Sequence, residues 1–162
     1  MQLCVIRHGK AVGHGEAGGD FARALTDRGR RQAAYLGDRL LTRGPRPAGV
    51  IASPLVRAQE TGSSIASALG LLLRTDDRLS TASDAGRILE LIAELQYEVG
   101  GGPEAAAAIV GHNPTLSVLV DLLVHGIGGS QTELRTGQMA VIELREAEPG
   151  AGRLVLVDRL SD

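Results

Sequence analysis

Residues 3–11 read Leu3-Cys4-Val5-Ile6-Arg7-His8-Gly9-Lys10-Ala11, four apolar residues that give way at once to charged and ring-nitrogen side chains. A run that short reads as a buried strand, and its abrupt polar end marks the edge where a sheet stops. Three further runs, Val50 to Ala52, Leu71 to Leu73 and Ala107 to Val110, alternate with stretches of helical period. That alternation is the pattern of an α/β fold with a largely parallel sheet.

The helices between the runs are punctuated. The first is expected to start with Thr26 as N-cap and Asp27 in its first turn, bury Ala33, Leu36, Gly37 and Leu40, and stop at Gly44-Pro45. The second has Pro54 at its first position and Leu55, Ala58, Gly62, Ile65 and Leu69 on one face, with Gly70 as the stop. The third starts near Ser83-Asp84, buries Ile88, Leu91, Ile92, Leu95 and Val99, and ends in Gly100-Gly101-Gly102-Pro103; the fourth follows Pro114 and is apolar on most sides. Met139 to Leu144 and Arg153 to Leu160 flank Pro149-Gly150-Ala151-Gly152 and read as a closing hairpin, which makes a mixed sheet of about six strands. The Gly-rich stretches at 13 to 19 and 126 to 129 read as loops, and no internal repeat is seen.

Composition bounds the function. A chain of 162 residues has the size of a single domain and buries roughly 70% of the surface its unfolded form exposes. A net charge of −2 gives no long-range field toward nucleic acid or an anionic membrane, so neither is expected as a partner. Of the seventeen basic residues only Lys10 is Lys, so an isolated Arg carries little information. The single cysteine, Cys4, sits in an apolar run and fits a reducing compartment. The N-terminal run is too short for a signal-peptide core, and Leu116 to Val124 too short and interrupted to span a bilayer, so a cytoplasmic protein is expected.

In open α/β sheets, ligands bind beyond the carboxyl ends of the strands. The segments following three of the runs are Arg7-His8-Gly9-Lys10, Ser53-Pro54-Leu55-Val56-Arg57 and Gly111-His112-Asn113-Pro114, so two His and two Arg converge on one edge. Two of these segments start helices with Pro, which aims free N–H groups and the positive dipole end at the same place. Arg57, one turn after Ser53, points back toward the strand ends. Two guanidinium forks match a phosphoryl group, whose oxygens accept paired N–H bonds.

Arg7-His8-Gly9, then Ser53-Pro54 with Arg57-Ala58-Gln59-Glu60-Thr61, then Gly111-His112-Asn113-Pro114 resemble, in order and spacing, the three signature segments of the histidine phosphatase superfamily. The segments Arg7-His8-Gly9-Lys10-Ala11 and Leu25-Thr26-Asp27-Arg28-Gly29, with the short length, are most similar to its SixA-type phosphohistidine phosphatases, and the resemblance runs from residue 2 to about residue 125. It implies one histidine phosphatase domain over residues 1–162, with a phosphoglycerate-mutase-like three-layer α/β/α fold. It implies His8 as the nucleophile that is transiently phosphorylated, with Arg7, Arg57 and His112 around the phosphoryl oxygens and Gly9, Lys10, Ser53 and Asn113 as substrate-binding residues. No metal and no cofactor are expected, because cationic side chains neutralise the charge; neither His14 nor His125 has a ligand spacing. The expected partner is a phosphorylated protein bearing phosphohistidine, or a small phosphorylated substrate, with phosphate- or sulfate-like anions binding in the site, and the chain is expected to be a monomer.

Many relatives carry a leaving-group acid after the third strand, and here Asp76, Asp77 and Asp84 stand near that place without one being assignable. An alkoxide needs a proton to leave, whereas a phosphohistidine protonated on its second ring nitrogen expels neutral imidazole unaided. Phosphohistidine and activated aryl phosphates are therefore expected ahead of alkyl phosphates. The other readings are a metabolite phosphomonoesterase, a mutase, which the short chain disfavours, and an idle module that binds phosphorylated partners. Gly13-His14-Gly15-Glu16-Ala17-Gly18 matches a dinucleotide fingerprint, but no helical pattern begins at Gly18 and no acidic ribose ligand follows the second strand.

Overall fold

The structure is a computed structural model that describes residues 1–15, 18–129 and 131–162. Its elements run β1 (Gln2–Arg7), α1 (Asp27–Thr42), β2 (Val50–Ala52), α2 (Val56–Leu69), β3 (Leu73–Thr75), a 3-10 turn (Asp77–Leu79), α3 (Ala85–Val99), β4 (Ala106–Gly111), α4 (Thr115–His125), β5 (Gln138–Leu144) and β6 (Gly152–Arg159). The strands form one six-stranded sheet in the order β3-β2-β4-β1-β5-β6. The first four in sequence are parallel, and β5 and β6 join antiparallel as a hairpin beside β1.

Two-residue alternation divides each central strand between two cores. Leu3 and Val5 of β1 and Ala107 and Ile109 of β4 face α3 and α4, with Ile88, Leu91, Ile92, Leu95, Leu116, Leu119 and Leu123 packed on them. Cys4, Ile6, Ala108 and Val110 face α1 and α2, whose Leu36, Leu40, Ala58 and Ile65 close the other side. Each such buried Leu or Ile contributes about 1.5–3 kcal/mol relative to exposure. The result is three layers, with helices on both faces of a mixed sheet. No described helix is long and apolar enough to cross a membrane.

Helix ends follow their sequence signals at Gly70 and Gly100, which close α2 and α3, and at two N-caps. Thr26 Oγ1 accepts the Gly29 N–H and Asp84 accepts the Arg87 N–H, each satisfying an orphan donor of a first turn. Two other ends differ from expectation. Helix α2 starts at Val56 with Leu55 as N-cap, so Pro54 lies outside the helix; Pro114 is itself the N-cap of α4. Strand β3 starts at Leu73 instead of Leu71, because the Leu71 N–H returns to Ala66 O and finishes the C-cap of α2, while Leu72 is 92% exposed. Of the Gly13–Gly18 motif, Glu16 and Ala17 lie outside the described residues; residues 18–22 are turns and the next helix waits until Asp27.

Candidate active site

Strand register brings the two imidazoles together. Arg7 of β1 pairs with Gly111 of β4, so His8 and His112 leave adjacent parallel strands side by side, their rings 5.2 Å apart and tilted by 55°. One strand further along, Ala52 pairs with Val110, which places Ser53 next to His112, and Ser53 Oγ lies 2.7 Å from His112 Nε2.

The His8 ring has a defined tautomer. Its Nδ1 lies 2.7 Å from Gly9 O, and a carbonyl can only accept, so Nδ1 carries the proton and Nε2 keeps a lone pair. Arg57 Nε donates to that Nε2 at 3.3 Å. Burial pushes His8 down to about 4; the Gly9 carbonyl opposes it, and the charges of Arg57, Arg7 and Arg23 add to it by lesser amounts. Burial and the neighbouring His8 and Arg57 push His112 down to about 3. Both rings are therefore neutral at physiological pH.

Arg57 is the most enclosed cation, with 4% of its surface exposed. Its Nη1 donates to the Asp20 backbone carbonyl at 2.8 Å and its Nη2 contacts Asp20 Oδ2 at 3.4 Å. Arg23 holds the other carboxylate oxygen, Nε and Nη2 lying 3.0 and 2.9 Å from Asp20 Oδ1. Burial acts to raise the Asp20 carboxyl and is outweighed by the Arg23 hydrogen bond and the Arg57 and Arg23 charges, so Asp20 stays below the usual carboxylate range. Arg7 donates from Nη1 to Leu134 O at 2.9 Å, while its buried Nε, like His112 Nδ1, has no partner among the described residues.

His8, Arg7, Arg57, His112 and Ser53 thus meet at one sheet edge, and the other residues singled out from sequence make contacts within the protein. Gly9 N–H donates to Thr61 Oγ1 at 3.1 Å, and a Cβ at Gly9 would fall 2.6 Å from Gly29 O, so Gly9 serves a close backbone approach. Asn113 donates to Leu134 O at 2.7 Å and accepts from Ser117 Oγ at 2.8 Å, which ties the chain before β5 to α4 and engages both ends of its amide. Lys10 is exposed, and its backbone, not its ammonium, makes the contacts, to Gln32 and Thr26. Asp76 caps the 3-10 turn and pairs with Arg78, Asp84 caps α3, and Asp77 is exposed in the 3-10 turn.

Asp20 and Arg23 were not picked out from the sequence. Their signal was an opposite-charge pair at i,i+3 in the segment before α1, a spacing common enough on any surface to carry no weight alone. No three described His, Cys, Asp or Glu side chains cluster as a metal site.

Comparison with known proteins bears on the family and the fold. Residues 3–87 match the model of the histidine phosphatase superfamily, branch 1. An uncharacterized protein of Picosynechococcus sp. is 28% identical over 155 residues, covering 95% of this chain and 88% of its own. The protein histidine phosphatase SixA, solved with tungstate, superposes with a TM-score of 0.83 at 24% identity, covering 98% of this chain and 97% of its own. The mycobacterial glucosyl-3-phosphoglycerate phosphatase, solved with VO3, superposes at 0.71 with 21% identity, covering 96% and 97%. At those identities the two structures establish a shared fold.

Proposed function

The chain belongs to the histidine phosphatase superfamily, and we propose that it hydrolyses phosphohistidine carried on another protein, through a phosphorylated His8. The observation that carries this reading is the His8 ring: Nδ1 fixed as donor to Gly9 O, Nε2 unprotonated and lying against the Arg57 fork. A neutral imidazole with its lone pair at the mouth of a cationic site is a competent nucleophile toward phosphorus.

The remaining groups have matching roles. The phosphoryl oxygens are held by Arg57, by the unpartnered Nε of Arg7 and by His112, oriented in turn by Ser53. A buried polar nitrogen without a partner costs about 1–3 kcal/mol, and an arriving oxyanion removes that cost at Arg7. His8 Nε2 attacks in line, the bond from phosphorus to the leaving atom breaks, and water then cleaves the phosphohistidine. Guanidinium groups supply the charge neutralisation, so no metal is invoked.

Substrate class follows from how the described carboxylates are used. Asp76 and Asp84 are engaged as caps and Asp20 is held ionised by two Arg. With these three so engaged, substrates whose leaving group departs without a proton donor are favoured, phosphohistidine above all. The full-length likeness to SixA supports the same choice. The second reading, a metabolite phosphomonoesterase, uses the same cationic groups and draws on the likeness to the glucosyl-3-phosphoglycerate phosphatase.

Mixing the protein with a phosphohistidine peptide should place an acid-labile label on His8 that His8→Asn abolishes. Binding without label would leave an idle module, and faster turnover of a sugar phosphate than of phosphohistidine would favour the second reading.

A further inference from the structure

Arg7 and Asn113, the residue after His112, share one acceptor. Arg7 Nη1 donates to Leu134 O at 2.9 Å and Asn113 Nδ2 donates to it at 2.7 Å, so both lone pairs of that carbonyl are taken. Leu134 lies between α4 and β5, where residues 131–137 form neither helix nor strand. No helical or ladder bond therefore sets where its carbonyl stands.

What sets it is a closed ring of three hydrogen bonds. Ser117 Oγ donates to Asn113 Oδ1 at 2.8 Å and accepts the Leu134 N–H at 3.0 Å, while Asn113 Nδ2 returns to Leu134 O. The ring fixes its own polarity: a carbonyl only accepts and a backbone N–H only donates, so the amide must turn its NH2 to Leu134 and its oxygen to the hydroxyl. Ser117 is 7% exposed and Leu134 1%, so a partner lost here leaves a buried polar group unsatisfied. Asn113 leads into α4 and Ser117 stands in its first turn, so the ring is mounted on a helix that starts beside His112.

Arg7 needs such a mount. Its guanidinium ends a long flexible stem, and freezing that side chain costs about 2 kcal/mol of conformational entropy. With Nη1 held by Leu134 O, the buried Nε, which has no partner among the described residues, stays available to an oxyanion. Burial works against the Arg7 charge and Glu133, the residue before Leu134, works for it, so the same segment steadies the cation by charge as well.

We propose that Asn113 is a positioning residue: through Leu134 O it holds the Arg7 guanidinium in the orientation that meets the phosphoryl oxygens. The inference rests on the reading above in which Arg7 holds those oxygens. Asn113 acts through the carbonyl and needs no contact with the substrate.

A double-mutant cycle over wild type, Asn113→Ala, Arg7→Ala and the double variant tests this, read by calorimetric binding of tungstate and by turnover of phosphoimidazole. Asn113→Ala should weaken tungstate binding and lower kcat/KM by a similar factor, roughly five- to tenfold. Arg7→Ala should lose roughly a hundredfold in kcat/KM, and adding Asn113→Ala to it should change either quantity by less than about twofold. Losses that simply add would mean that Asn113 serves the fold at large, and the proposal falls. Where Asn113→Ala does not fold, Ser117→Ala breaks the same ring from its other side and carries the same cycle. Tungstate binding unchanged in Arg7→Ala would remove Arg7 from the anion site and take the inference with it; binding weakened in Arg7→Ala but unchanged in Asn113→Ala removes Asn113 alone. A wild type that binds tungstate without turning over phosphoimidazole sinks the phosphohistidine reading, and the binding arm still decides the role of Asn113.

Discussion

Acidification should unfold this protein partly through the buried His8 ring. His8 is held at about 4 by burial and by Arg57, Arg7 and Arg23, whereas an unfolded His titrates near about 6.5. Between those values the unfolded chain binds a proton that the folded chain refuses. The stability at stake is therefore intact above about pH 6.5 and is lost as the pH falls toward 4. Between pH 7 and pH 4.5 the loss from this one group works out at about 2.5 kcal/mol. With a urea dependence of about 2 kcal/mol per molar, that moves the unfolding midpoint by roughly 1 M. His8→Asn lacks the titrating ring and also relieves the share of the His112 depression that His8 supplies, so both differences act in the same direction, while the carboxylates behave alike in both proteins. Urea unfolding of the two across that pH range should show the wild-type midpoint falling by the additional amount; curves that run parallel would refute the attribution to His8.

Two substitutions test the support of the site. Ser53→Ala removes the 2.7 Å partner of His112 Nε2 in a ring whose Nδ1 already lacks one. It should cost about 1–3 kcal/mol in urea unfolding and lower kcat roughly ten- to hundredfold through misorientation of His112, the proposed oxyanion donor. Gly29→Ala places a Cβ 2.1 Å from Lys10 O; overpacking of this kind costs about 1–3 kcal/mol, and the displaced segment should carry His8 with it, so thermal stability and turnover should fall together.

The architecture was legible because its signals are local and repeated. Alternating apolar runs gave the strands and their parallel order, and Thr26, Asp84 and Gly70 stand where capping chemistry puts them. Where two local signals competed, the helix end won: Leu71 reads as strand by its side chain, yet its N–H completes the cap of α2. Pro54 illustrates the converse, a residue suited to a helix start that the chain uses in the turn before one.

Within the site, the residues that could be read were those fixed by strand ends, since register alone sets His112 between His8 and Ser53. Arg57 followed from helical periodicity. Asp20 and Arg23 come from a segment with no period, and their importance is visible only through a contact to Arg57, 37 residues away in the chain. Gly9 and Asn113 show the opposite limit: position beside His8 or His112 does not say which protein atoms a polar group engages.

The bond from His8 Nδ1 to Gly9 O has a genetic consequence. In enzymes where a carboxylate side chain sets the tautomer of a reactive histidine, one codon change can disarm the ring while leaving it in place. Here the acceptor is main chain, present whatever residue is encoded, so no orienting side chain exists to be mutated away. Damage must come through the path of the backbone itself, and the tight crossing of Gly9 and Gly29 is where that path is vulnerable.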